Sequence, residues 1–372
     1  MTHTTGVGPV GREARRLATM PPPVLAAGCA RLRRRTASVA RGEAVLLQGG
    51  SRAEPLHALT EDAMRRRQRT LLQMELVLAH ATALPVVKVG WTVGSCAPPS
   101  PDDPAEGLRR EYESSVTVLN LLRALTAAPA PGLHRLHAWN EEHAAGPDCG
   151  APHGELLAAI GRSLALLRSY GLDPSGAGAP PEFFVGHESR LLAYERALTA
   201  TGPHPEAGHD VPYATTGHLL WPAEPHEPGG DHVRHLSSVH NPVAVRLGPG
   251  TSPDSVLGHV DRLDPHRAPG RLTLVAGMGA DRVRDLLPEV VEKVRAEGAS
   301  VCWVSDPVRA NTTRDAVRDE VRGFVEVHRS LGTHPGGIHV DPVAAAPAAG
   351  GGPDRGPALD VAFHFAEACA GA

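Results

Sequence analysis

Eight short runs of apolar and β-branched residues, separated by stretches long enough for a helix, restrict this chain more than any other feature. The runs are residues 44–50 (AVLLQGG), 84–90 (LPVVKVG), 132–140 (GLHRLHAWN), 182–188 (EFFVGHE), 216–221 (TGHLLW), 241–248 (NPVAVRLG), 270–279 (GRLTLVAGMG) and 299–307 (ASVCWVSDP). The stretches between them, such as EDAMRRRQRTLLQMELVLAHA and DRVRDLLPEVVEKVRAEG, repeat apolar residues at spacings of three and four, the mark of a helix with one buried face. Eight strands alternating with helices predict an α/β chain folded as a (β/α)8 TIM barrel. Residues 1–43 read as an N-terminal helical extension, 44–345 as the barrel, and 346–372 as a flexible loop with a C-terminal helix. The 339–358 segment is rich in Pro, Gly and Ala, which fits a loop.

Composition removes several function classes. The net charge of −4 gives no global basic field for nucleic acid. The arginine clusters RLRRR and RRRQR read as solvated helix faces. No apolar run reaches the roughly 18 residues of a membrane span. Five cysteines, an odd number with no CxxC spacing, predict a reduced, cytoplasmic protein without a disulfide framework. No cofactor motif is present, and the partner expected is a small molecule.

In a barrel of this kind, functional groups sit at the C-terminal ends of the strands. That rule selects Ser51, Arg52 and Glu54 after the first run, Lys88 and Trp91 at the second, and His187 and Glu188 at the fourth. It adds His218, Trp221 and Glu224 around the fifth, Arg246 on the sixth, Gly277 after the seventh, and Asp306 and Arg309 after the eighth. His334, His339 and Asp341 fall in the last loop.

The segments GEAVLLQGG, LLQMELVLAHATALPVVKV, HESRLLAYERAL, NPVAVRLGP, PGRLTLVAGMGADRVRDLLPEVVEKV, WVSDPVRANT and EVRGFVEVHRSLGTHPGGIHV occur in order along the chain. They resemble the class II (plant-type) 3-deoxy-7-phosphoheptulonate (DAHP) synthases of the shikimate pathway. The resemblance implies a (β/α)8 barrel and a divalent metal that assists addition of phosphoenolpyruvate to erythrose 4-phosphate. It also implies association into oligomers. Several positions depart from the family pattern. Arg52 in GGSRAE stands where the family has a ligand cysteine, and Arg309 in DPVRANT where it has a ligand histidine. Asp341 takes the place of a ligand glutamate, and the last ligand, an aspartate, has Asp354 as its nearest candidate. Trp91 and Gly277 stand at family arginines, and Arg246 at a family lysine.

Taken at face value, these departures predict a divergent member that lacks the usual metal ligands. Guanidiniums offer a cation no lone pair. The leading expectation is then a metal-free enzyme of specialised metabolism working on an anionic small molecule by condensation, transfer or isomerisation. Glu224, His218 and Asp306 would supply acid–base catalysis. Arg52, Arg309, Arg246, Lys88 and Asp341 would line the substrate site, with no metal. Arg52 and Arg309, expected on neighbouring strands, would converge either on a substrate anion or on Asp341, Glu54 or Asp306 as a salt-bridge plug. Two alternatives stay open: a non-catalytic binding or partner protein, and a DAHP synthase that retains the family's reaction.

Overall fold

The computed structural model describes residues 8–50, 59–94, 103–146, 153–172, 180–204, 208–224, 226–309, 312–341 and 356–370. Helices α1 (Pro9–Leu17) and α2 (Ala26–Ala40) precede strand β1 (Val45–Gly49), and α3 (Glu61–Thr82) leads into β2 (Val86–Val93). Three helices, α4 (Pro104–Thr126), α5 (Leu133–Ala144) and α6 (Gly154–Ser169), separate β2 from β3 (Phe184–Ser189). Helix α7 (Leu192–Ala197) and the strands β4 (Thr199–Pro203) and β5 (Asp210–Ala214) come next, followed by β6 (Leu219–Pro222) and α8 (Asp231–Ser237). The chain then alternates strictly: β7 (Val243–Leu247), α9 (Pro253–Leu263), β8 (Leu272–Ala276), α10 (Val283–Ala296), β9 (Cys302–Ser305), α11 (Arg314–Ser330) and β10 (Gly337–Val340), with α12 (Gly356–Ala370) last.

Eight of these strands close a parallel barrel in the order β1-β10-β9-β8-β7-β6-β3-β2, while β4 and β5 form a separate antiparallel pair. The TIM barrel is therefore present, with helices before its first strand, but one of its eight expected strands is replaced by another. Residues 132–140 are not a strand; they lie within α5. The segment satisfies helical spacing as well, and Leu136, His137 and Asn140 form the buried face. The barrel instead closes through β10, only four residues long and hidden in what reads as the last loop. Residues 192–203 hold the short α7 followed directly by β4.

Closure depends on a close backbone approach. Gly337 pairs with Leu46 across the β1–β10 seam. Its backbone φ is 154°, and a side chain there would collide with the Leu46 carbonyl. Gly336 likewise faces the Trp303 backbone of β9. The two glycines admit a strand between two others where no Cβ fits.

The N-terminal end of the barrel is sealed by α2. Leu32 and Val39 pack into the barrel interior with Leu46, Val87, Phe184, Leu219, Ala244, Cys302 and Val304. Thr36 Oγ1 donates to the carbonyl of Gly270 just before β8, at 2.8 Å. The thiol of Cys302 donates to the Thr36 carbonyl, and burial pushes that thiol up to about 12, so it is an inert part of the core. The opposite, C-terminal end is the one left for chemistry.

Replacing Gly337 by Ala is expected to cost about 3 kcal/mol or more, because the strand that closes the barrel must move. Urea unfolding of the variant measures this, and a loss below about 0.5 kcal/mol would contradict the seam described here.

Candidate active site

Alternation along the strands decides which side chains reach the barrel interior. On β7, Val243, Val245 and Leu247 pack outward against the helices, and Ala244 packs inward. Arg246 therefore turns inward at the C-terminal end of the strand. Its guanidinium lies 4.8 Å over the Trp221 ring, bonds the Asp306 carboxylate through Nη1, and donates from Nη2 to Nε2 of His339 at 3.2 Å. The carboxylate of Glu224 is 3.8 Å from its Nε.

Asp306 follows β9 directly and is anchored by its own N–H, which donates to the Ala276 carbonyl at 2.8 Å. Burial raises its pKa to about 6; Arg246 and Arg309 pull it down, and Asp341 and Glu320 push it up. Asp306 is thus a carboxylic acid able to hold a proton only a little below neutral pH. His339 is buried, and burial together with the Arg246 charge holds it well below the usual imidazole range. A neutral ring accepting from Arg246 follows from both. Its Nδ1 has no hydrogen-bond partner among the described residues.

Arg309 stands on the loop after β9. Its Nη2 donates to Glu320 Oε2 on α11 at 2.5 Å, and its Nη1 donates to the Asp306 carbonyl at 3.4 Å. Glu224, His226, Arg246, Gly248, Thr251, Gly277, Asp306 and Arg309 together line a cleft of about 710 Å³ at the C-terminal mouth. Two guanidiniums opening on one cleft form a receptor for anions, and the carboxylates between them hold the guanidiniums in place.

Of the residues expected from sequence, Glu224, Arg246, Asp306 and Arg309 are brought together here. Asp341 directly follows β10, close enough for its charge to act on Asp306. Arg52 lies outside the described residues, as do Ser51, Glu54, Asn311 and Asp354. The expectation that Arg52 and Arg309 rise from neighbouring strands fails, because β10 intervenes between β1 and β9. Arg309 is paired, but its partner is Glu320, which sequence reasoning missed. A signal existed: Glu320 interrupts the buried stripe Val317, Val321 and Phe324 on α11.

Four expected residues, His218, Lys88, Trp91 and His187, sit elsewhere. His218 precedes β6 and so lies at the sealed end. Its Nδ1 accepts from the Val185 N–H at 3.1 Å, and its Nε2 would be 2.8 Å from a Cβ at Gly28 of α2. Burial, with Arg31 and Arg123 nearby, lowers its pKa to about 3; it is a neutral packing residue and not an acid–base group of the mouth. Lys88 lies between the inward-facing Val87 and Val89 and therefore faces outward. It pairs with Glu75 of α3 and lies 5.6 Å from the Phe183 ring centroid. Trp91 also packs outward, edge-on to Phe183 with centroids 5.1 Å apart.

His187 turns outward too, into a buried ionic cluster. Its Nε2 is 2.6 Å from Glu195 Oε1 on α7, and its Nδ1 contacts the Val93 carbonyl at 2.9 Å. Glu195 also accepts from Thr216 Oγ1 at 2.7 Å. Burial opposes the imidazolium, but Glu195, the Glu111 carboxylate and the Val93 carbonyl outweigh it and lift His187 to about 9.

Among the described residues, no three of His, Cys, Asp and Glu converge so that they could hold a metal ion. The side chain after β9 that opens on the cleft is a guanidinium, which offers a cation no lone pair. Two of the four positions that the resemblance assigns to ligands, residues 52 and 354, lie outside the described residues.

The fold is that of a (β/α)8 barrel, and its C-terminal mouth opens on the guanidiniums of Arg246 and Arg309. The family model of the class-II DAHP synthetase family matches residues 9–107 and 100–347, and the chain belongs to that family. It is 40% identical over 365 residues to a phospho-2-dehydro-3-deoxyheptonate aldolase of Streptomyces coelicolor, an alignment spanning 87% of this chain and 80% of the relative. It is 39% identical over 363 residues to the corresponding aldolase of Mycolicibacterium smegmatis, spanning 87% and 78%. These matches favour the expectation that the family's reaction is retained. They lend no support to a changed, metal-independent chemistry, to specialised metabolism, to a non-catalytic role, or to the reading of the chain as a member stripped of its metal ligands. Among the described residues, no helix is long and apolar enough to cross a membrane.

The His187 cluster yields a prediction with a definite sign. The folded pKa, about 9, lies above the ordinary 6.5, so the cluster's contribution is complete below pH 6.5 and is lost as pH rises through about 9. Replacing His187 by Gln is expected to cost about 3–5 kcal/mol at pH 6 and clearly less at pH 9.5. Urea unfolding of both proteins across this range tests it, and a pH-independent difference would refute it.

Proposed function

We propose that this protein condenses phosphoenolpyruvate with erythrose 4-phosphate to give a seven-carbon phosphorylated keto acid, the compound for which its relatives are named. The observation that carries the reading is the cleft itself. Arg246 and Arg309 open on one volume with Asp306 between them, at the end of the barrel where such folds place their chemistry.

Both substrates are anions, and paired guanidiniums suit phosphate and carboxylate alike. Arg246 is fixed on three sides, by Asp306, by His339 and by the Trp221 ring, so little reorganisation remains when an anion arrives. In the condensation, C3 of the enolpyruvate forms a bond to the aldehyde carbon, and the aldehyde oxygen takes up a proton. Water adds at C2 of the former enolpyruvate, and inorganic phosphate departs. Asp306 is the candidate donor to the aldehyde oxygen, since its pKa of about 6 keeps a usable protonated fraction near neutrality. Glu224 at the rim is the candidate acceptor for the proton of the adding water.

The test is release of inorganic phosphate from purified protein given both substrates, with manganese, with cobalt and with a chelator. Release that needs both substrates is expected in at least one condition; its absence in all three would sink the proposal. Arg246→Ala is expected to lower kcat/KM by about 10²–10³-fold while the protein remains folded.

A further inference from the structure

We infer that Gly277 and Glu320 are positioning residues that aim Arg309 at an anionic group of the substrate. The inference deepens the proposed reading of the cleft and concerns binding, which is measured apart from turnover.

Three observations converge. First, Arg309 projects from the loop after β9 across the end of β8, into the space a side chain at residue 277 would take. A Cβ built on Gly277 would lie 2.6 Å from Arg309 Nη1 and 3.0 Å from the Asp306 carbonyl. The guanidinium can hold this place only because residue 277 has no side chain. Second, Glu320 ties two loops together from behind. Its side chain is 2% exposed; Oε2 accepts from Arg309 Nη2 at 2.5 Å, and Oε1 accepts from the Gly279 N–H at 2.8 Å. One buried carboxylate therefore fixes both the guanidinium and the backbone of the Gly277–Gly279 loop against which it rests. Third, the cation is not used up by these contacts. A guanidinium has five N–H donors. Among the described residues, Arg309 engages Glu320 through Nη2 and the Asp306 carbonyl through Nη1, and 39% of its side chain stays exposed on the wall of the cleft. A buried anchor behind and open donors in front make a clamp for a phosphate or carboxylate that arrives from solvent.

The arrangement also explains how an arginine on this loop acts at the end of β8. Glu320 draws the side chain sideways, the missing Cβ at residue 277 leaves it room, and the charge is delivered beside Arg246. The two guanidiniums then face the same volume, each with its own carboxylate, Asp306 or Glu320.

The experiment is calorimetric titration of the full chain with phosphoenolpyruvate and, separately, with inorganic phosphate. Wild type is compared with Arg309→Ala, Glu320→Gln, Gly277→Ala and the double variant Gly277→Ala/Arg309→Ala. Each single substitution is expected to weaken phosphoenolpyruvate binding about tenfold, the weight of one charge-assisted contact. Because Gly277 acts through Arg309, its effect should vanish in the Arg309→Ala background, a coupling that general loosening of the loop would not produce. Wild-type affinity in Gly277→Ala, or simple addition of the two effects in the double variant, would overturn the inference. If Glu320→Gln fails to fold, the Gly277 cycle decides alone. Binding without phosphate release would count against the condensation and leave this inference standing. Release with Gly277→Ala indistinguishable from wild type in both affinity and KM would do the reverse.

Discussion

Everything in this molecule hangs on a four-residue strand. Without β10 the sheet has two open edges, β1 and β9, and the interior loses the enclosure that lets charged groups act at short range. The pairing Leu46–Gly337, Leu47–Ile338, Gln48–His339 fixes the register on which the site rests. A slip of one residue would turn His339 outward and bring Ile338 or Val340 in, leaving the Arg246 guanidinium without its third support. Two glycines admit the strand, and the barrel then holds a half-buried arginine among an aromatic face, a neutral imidazole and a carboxylate.

That arginine illustrates how burial and charge are balanced here. An isolated cation inside a barrel would be costly, and Arg246 is not isolated. Asp306 answers its charge, and the neutral His339 accepts a donor that would otherwise lack a partner. Asp306 in turn has its ionisation delayed by burial and by neighbouring carboxylates. The same logic recurs outside the barrel wall, where His187 carries its proton because Glu195 and Glu111 are close. At His187 the opposite charges win over desolvation, and at Asp306 desolvation wins over the two guanidiniums.

The barrel was legible in the sequence because eight apolar runs alternate with helical ones, yet which runs form the wall was only partly so. Residues 132–140 fit both periods, and length alone could not choose between them. The GGIHV segment has too few residues to show any period. For the site, parity was the better guide. It turns Arg246 inward and Lys88 outward, since Lys88 lies between Val87 and Val89. His218 was misplaced by a boundary, because the strand begins one residue after it and the side chain belongs to the sealed end. Glu320 was hidden for another reason. Its partners are a loop arginine and a backbone amide distant in sequence, and only its place in an apolar helical stripe marks it.

The helix beneath the barrel has a consequence for traffic. With Leu32 and Val39 of α2 wedged among the inward-facing residues, the interior is a blind well and not a channel. Whatever reaches the guanidiniums enters and leaves on one side. A two-substrate reaction in such a well imposes a queue: the molecule seated deeper must arrive before the one above it, and what lies on top must depart first.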